Sequence, residues 1–135
     1  MTPFQALDEA LKKYRDGSGI RLSTENEIKA WSAEIGAPKK ITAILDDWSL
    51  VTIIDNDLER LHLVGNVVGT TKTRVTSPVL RVDLKAGYVL TLSESMYQLG
   101  TPHQGEPEVE QVFALAQAIG NWREATGRPG FNYYH

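Results

Sequence analysis

Cysteine is absent from this chain of 135 residues. That excludes disulfide staples, thiolate metal sites, iron–sulfur ligation and cysteine nucleophiles. Histidine is scarce: His62, His103 and His135 are the only three, and no two have the His-x-x-x-His spacing that stacks imidazoles on one helix face. No run approaches the roughly 18–20 consecutive apolar residues needed to cross a bilayer. Residues 1–9 lack the basic stretch and apolar run of a secretory leader. These absences set the expectation of a cytoplasmic protein with no membrane partner. Positive charge is in deficit as well. A formal net charge of -3 argues against broad electrostatic capture of DNA or RNA. Basic residues come in short clusters, Lys12-Lys13, Lys39-Lys40 and Lys72-Thr73-Arg74. A nucleic-acid face would have to be assembled from Lys72, Arg74 and Arg81, fewer contacts than phosphate binding usually recruits.

What the chain does contain is ordinary for one globular domain over 1–135: 41% hydrophobic and 23% charged residues support a single core. Two N-terminal helices announce themselves by their caps. Thr2-Pro3-Phe4-Gln5 and Thr24-Glu25-Asn26-Glu27 both have the capping-box form. Phe4, Leu7, Leu11 and Tyr14 follow the first at helical spacing, with Gly17 as the stop. Ile28, Trp31 and Ile35 follow the second, with Gly36 and Pro38 as the stop.

Strand signals occupy the middle. Residues 41–45 are too short for periodicity to decide between strand and helical turn. Residues 48–54 are apolar on both faces, as in a central strand. Asp55-Asn56-Asp57 marks a turn, a strand follows over 59–68, and another begins at Arg74 with a bulge or edge at Pro78. Residues 80–92 read as a hairpin with Lys85-Ala86-Gly87 as its loop and Gly87 left-handed. In that register Leu84, Val82 and Leu80 face Tyr88, Leu90 and Leu92 on one apolar side. A last short strand is expected over 95–99. Acidic residues at Glu106 and Glu108 open a C-terminal helix, with Val109, Val112, Phe113, Ala116, Ile119 and Trp122 as its stripe. The expected fold is α+β: an antiparallel meander of about five strands, packed by its apolar hairpin face against the long C-terminal helix, with two N-terminal helices. Residues 126–135 form an aromatic tail whose Phe131, Tyr133 and Tyr134 are interface candidates, either folded back or docked on a second subunit.

Chemistry is harder to find. His62 alternates out of phase with Leu61 and Leu63, so it lines either a pocket or the solvent face; Trp48, His62 and Tyr97 are the pocket candidates. His103 precedes the acidic helix, with Glu106 and Glu108 near it in sequence, a His/Glu/Glu set without paired metal spacing. Asp46-Asp47 could join the acidic turn as a carboxylate cluster for acid–base work, but the sequence does not place them together, and N-capping or solvation accounts for them as well. Asp55-Asn56-Asp57 starts like a calcium loop and fails, because Arg60 stands where glycine is required and Asn66 where glutamate is. Ser77 and the Ser93-Glu94-Ser95 turn lie in no nucleophile motif. Gly65 to Gly69 lacks the lysine and hydroxyl ending of a P-loop.

Thr76-Ser77-Pro78-Val79, the Val89 to Ser93 stretch and Tyr97-Gln98-Leu99-Gly100 resemble a pattern in small uncharacterised bacterial proteins of mobile-element and cassette type. The resemblance spans residues 48–100, and the Ser93-Glu94-Ser95 turn departs from it. It implies a bacterial β-meander and no catalytic residue or substrate. The resulting expectation is a non-enzymatic binding or protein-interaction module, an accessory factor able to form a homodimer, with no metal and no cofactor. The alternative is a small-molecule-binding or hydrolytic domain with a pocket between sheet and helix.

Overall fold

The computed structural model describes residues 1–37 and 40–126, with backbone alone at 125 and 126. The aromatic tail, with Phe131, Tyr133 and Tyr134, lies outside the described residues. Helix α1 (Pro3–Tyr14) starts as its sequence dictates: the Gln5 amide donates to Thr2 Oγ1 at 3.1 Å and the Thr2 amide to Gln5 Oε1 at 2.9 Å. The chain then turns through Gly17 into β1 (Gly19–Leu22), a strand with no expectation behind it. Helix α2 (Glu25–Ala30) carries the second capping box but stops well before Gly36. Its expected continuation, residues 31–33, instead pairs with a strand edge: the Val82 amide donates to the Trp31 carbonyl at 2.9 Å, and the Ala33 amide to that of Val82 at 3.1 Å. Tertiary pairing here outweighs the helical spacing of Trp31 and Ile35.

The remaining strands are β2 (Ala43–Asp55), β3 (Leu58–Val67), β4 (Thr73–Val75), β5 (Val79–Asp83), β6 (Tyr88–Thr91) and β7 (Met96–Leu99), followed by α3 (Val109–Thr126). Asn56 and Asp57 make the β2–β3 turn with φ of 51° and 67°, the left-handed pair that a two-residue hairpin demands. The sheet has seven strands in the order β4-β3-β2-β7-β6-β5, with β1 also on β2. That exceeds the expected five, because β1 was unforeseen and Pro78 splits the stretch after Arg74 into β4 and β5. The sheet is also mixed: β2 runs parallel to β7 through Ala43↔Tyr97 and Leu45↔Leu99. The long β2 shares one edge between β1 and β7 and gives the other to β3.

The hairpin register is corrected by one residue. Asp83, not Leu84, faces Tyr88, and Val82 faces Val89, with a bulge between Val79 and Arg81. Gly87 is left-handed at φ 84°, as expected, but the loop is a residue longer, closed by the Gly87 amide on the Asp83 carbonyl at 2.8 Å. Asp83 also accepts from the Ala86 amide through Oδ1 at 3.1 Å. These two bonds select the register, and the consequence is large. Val82 and Val89 are completely buried, while Leu80, Leu84 and Leu92 stand 37, 51 and 37% exposed.

Two hydrophobic clusters lie on opposite faces of β2 and β3. One contains Phe4, Leu11, Ile20, Val51, Ile53, Val64, Val112, Leu115 and Ile119, and joins α1 and α3 to the sheet. The other contains Leu45, Leu50, Leu61, Leu63, Val79, Val82, Val89 and Tyr97, enclosed where the sheet bends to bring β5 back toward β3. Helix α3 therefore packs on β3 and β4 rather than on the apolar side of the hairpin. Its buried stripe runs through Val112, Leu115 and Ile119, whereas Val109 and Phe113, expected to be part of it, are 42 and 70% exposed.

Candidate functional site

The three pocket candidates do not converge. His62 is fully buried on the helix face of β3, stacked on Trp122 with ring centroids 4.8 Å apart. The Thr76 carbonyl, 2.9 Å from Nδ1, can only accept, so Nδ1 carries the proton. Nε2 is then a bare acceptor with no partner among the described residues. Burial pushes the imidazole down to about 4, against the opposing effect of the Thr76 carbonyl. A neutral, walled-in ring of this kind is a packing element. Tyr97 lies in the other cluster, and its hydroxyl accepts from Arg74 Nη1 at 3.2 Å. Arg74 and Arg81 are both exposed, on β4 and β5. Trp48 is half-buried; its Nε1 donates to the Gly100 carbonyl at 3.0 Å. It helps to line a cleft of about 220 Å³ with Leu22, Ile28, Ser49, Leu50 and His103. Ser49 Oγ is buried there with no partner among the described residues.

The sheet–helix interface expected to hold a pocket is filled by Val51, Ile53, Val64, Val112, Leu115 and Ile119. Ser77 and Ser93, unconnected in the sequence reading, meet at 2.9 Å between hydroxyls, with Thr91 and Ser95 within 3.3 Å of Ser93. This hydroxyl cluster ties the β6–β7 turn to the segment before β5.

A polar corner forms where β2 bulges. Between Asp46 and Ser49 the β2–β3 register shifts, and Asp47 takes φ 52°, a left-handed conformation that aspartate tolerates better than most residues. Asp46 turns to the next loop and accepts from the Thr101 amide at 2.9 Å. Gly100 is needed at that crossing, because a Cβ there would collide with the Asp46 carboxylate. Asp47 turns the other way, placing Oδ1 2.7 Å from His103 Nδ1. His103 Nε2 lies 2.7 Å from the Glu106 carbonyl. Both partners of the ring are acceptors, so both ring nitrogens donate and the imidazole is held as the cation. The Asp47 hydrogen bond raises its pKa above the ordinary histidine value; burial opposes this, and the Glu106 carbonyl and the charges of Asp47 and Glu108 add to the rise.

Glu108, at the threshold of α3, completes the corner. Ligand-capable atoms of Asp47, His103 and Glu108 lie within 4.8 Å of one another. One turn along, Gln111 is completely buried; its Nε2 donates to the Asp47 carbonyl at 2.8 Å and to Asn66 Oδ1 at 3.3 Å. Its Oε1 has no partner among the described residues. The sequence reading put His103 with Glu106 and Glu108, and weighed Asp46-Asp47 only as a carboxylate cluster with the acidic turn. The structure keeps His103 and Glu108, replaces the Glu106 carboxyl by its carbonyl, and adds Asp47 and Gln111. Gln111 was legible in principle, as a polar residue four positions before Leu115 on the buried side of α3.

A second surface stands out by contrast. The side chains of β5–β6–β7 opposite Val82, Val89 and Tyr97 include Arg81, Tyr88, Leu90, Met96 and Gln98, paired Arg81↔Leu90, Leu90↔Met96 and Tyr88↔Gln98. Tyr88, Leu90 and Met96 are half-exposed, and the exposed Leu80, Leu84 and Leu92 sit at the hairpin's margins. Helix α1 packs chiefly on β1, and α3 on β3 and β4, so among the described residues no helix covers this outer face. No protein-family model, curated protein or solved structure matches the chain.

Proposed function

We propose that this chain is a non-enzymatic binding protein that associates with a second copy of itself through the outer face of β5–β6–β7. The observation that carries this reading is the hairpin register. The chain buries two valines, Val82 and Val89, and leaves Leu80 and Leu92 exposed on the hairpin that carries the half-exposed Tyr88 and Leu90, with Met96 paired to Leu90 on the next strand. Contiguous apolar surface of this kind marks interaction sites in soluble proteins. A second copy suits it because the same region carries both signs of charge, Arg81 and Lys85 against Asp83 and Glu94, and a two-fold interface must be complementary to itself. Edge-to-edge pairing is blocked at Val82, where residues 31–33 occupy the edge of β5. Contact is therefore face to face.

Sedimentation velocity over about 1 to 200 µM tests this, since self-association follows mass action. The parent chain is expected to move from monomer to dimer. Leu80→Glu, at an exposed position, and Leu90→Lys are each expected to weaken the dimer at least tenfold, about 1.4 kcal/mol or more. A parent that stays monomeric throughout, or variants that dimerise as it does, sinks the reading.

The Trp48 cleft supports a second reading, the binding of a small polar molecule. At about 220 Å³ it is below the usual range for ligand pockets, roughly 300–1,000 Å³. In its favour is the buried, unpartnered Ser49 hydroxyl. Stabilisation by a small hydrogen-bonding compound that disappears in both Ser49→Ala and Trp48→Ala would favour this reading over self-association.

A further inference from the structure

We propose that Asp47, His103 and Glu108 form a binding site for a divalent transition-metal cation, with zinc as the ion best matched to one imidazole and two carboxylates. The residues come from three separate places: a β-bulge, the loop after β7 and the start of α3. Yet their ligand atoms gather within 4.8 Å. Sequence distance makes the meeting informative. His103 and Asp47 are 56 positions apart and still approach to 2.7 Å.

The environment of each ligand matches what a metal requires. A metal-bound histidine typically donates a hydrogen bond from its other ring N–H to a carbonyl or carboxylate, which fixes the tautomer and aims the free nitrogen at the ion. His103 Nε2 already makes that contact, to the Glu106 carbonyl at 2.7 Å. Nδ1 is the coordinating atom, and the cation takes the place of the proton now held between Nδ1 and Asp47 Oδ1. That proton leaves to solvent on binding, as ligand deprotonation requires. The Asp47 backbone is held by the Gln111 side chain, whose Nε2 donates to the Asp47 carbonyl at 2.8 Å. The ligand loop is thus anchored before any ion arrives.

An independent observation at the same corner points to a missing positive partner. Gln111 is completely buried, and its Oε1 makes no hydrogen bond among the described residues. That oxygen is one bond angle away from the nitrogen that holds Asp47. Exchanging the amide's atoms would only set two oxygens against the Asp47 carbonyl and Asn66 Oδ1, so the assignment is secure. A buried amide oxygen without a donor is costly, and a water carried by an ion at Asp47 would supply that donor. Three protein ligands leave the fourth position of a tetrahedral ion open. Glu108 also borders a polar cleft of about 270 Å³ with Asn66, Thr70, Thr71, Thr73 and Glu110, which leaves its carboxylate accessible from solvent.

The test is calorimetric titration of the full, tag-free chain with zinc chloride, alongside ring-nitrogen NMR of its histidines. One equivalent of zinc is expected to bind and to move the His103 Nδ1 resonance while leaving those of the buried His62 in place. Glu108→Gln alters an exposed side chain, so its fold and Tm are expected to match the parent while zinc affinity drops at least tenfold. Gln111→Leu removes the anchor on Asp47 and is expected to weaken zinc while His103 keeps its contact to the Glu106 carbonyl. Zinc that moves only the His135 resonances, or that binds Glu108→Gln as tightly as the parent, overturns the site. So does a parent chain that takes up no zinc.

Discussion

At the scale of single residues, His62 shows how burial converts a titratable group into a stability sensor. The folded ring stays neutral down to about 4, whereas the unfolded ring takes its proton near 6.5. Between those values the unfolded state binds more protons, so stability rises with pH. The His62 contribution is fully present above about 6.5 and is lost as pH falls toward 4. The whole step is on the order of 3 kcal/mol. Denaturant unfolding of the parent is expected to lose stability through this window, before the carboxylates Asp8 and Glu27, both held below their ordinary values, begin to take up protons. His62→Gln should flatten the slope between pH 6.5 and 4. An unchanged slope would place the titration elsewhere. Nothing in the sequence separated the pocket-wall reading of His62 from the solvent one. Alternation showed only which way it points, and the deciding neighbour, Trp122, comes 60 positions later.

At the scale of elements, α2 illustrates a helix too short to sustain itself. It has six residues and none of them is fully buried, so beyond the packing of Ile28 on the second cluster its persistence rests on its ends. Glu27 supplies most of that. Oε1 accepts from the Thr24 amide at 2.9 Å, and Oε2 accepts from Arg21 Nη2 and Thr52 Oγ1, each at 3.0 Å. Burial alone would raise its pKa; the Thr24 amide, Arg21 and Thr52 outweigh that and hold it low. Glu27→Ala removes these acceptors together and leaves the fully buried Thr52 hydroxyl with Ser23 alone. A loss of about 1–3 kcal/mol is expected in chemical denaturation, with faster amide exchange at residues 31–33, which hang from α2 onto β5. Exchange there that matches the parent would show the β5 pairing to be self-sufficient. The caps of α1 and α2 were readable because they are local chemistry. The ends were not, because the β5 edge recruits residues 31–33 from outside the window in which helical spacing operates. The hairpin was misread for a related reason. Apolar alternation favoured leucines facing one another, but the Asp83 contacts to Ala86 and Gly87 set the loop length, and the loop sets the register.

At the scale of the whole molecule, the α+β class was legible, but the side on which the long helix packs was not. Sequence patterning located apolar faces without saying which faces meet. Residues 48–54 were recognised as apolar on both sides, and that is the clue to two clusters rather than one. Val51 and Ile53 face the helices, while Leu50 faces the enclosed side. The polar corner was half legible: His103 and Glu108 drew notice for their chemistry, but Asp47 joins them only through a bulge that no local pattern announces.

The parallel pairing of β7 with β2 has a kinetic consequence. Ala43 and Leu45 find Tyr97 and Leu99 only after the intervening strands have formed and returned, and contacts so distant along the chain are slow to close. Pulse-labelled refolding is expected to protect the β2–β3 turn region, around Ile54 and Glu59, well before Thr42 and Gly100, whose amides donate across the seam to the Met96 and Leu45 carbonyls. Simultaneous protection would mean that the two ends of β2 assemble in one concerted step. Whatever destabilises β7 should then leave a long-lived intermediate whose hairpin leucines and enclosed valines are both open to solvent, the form of this chain most prone to aggregate.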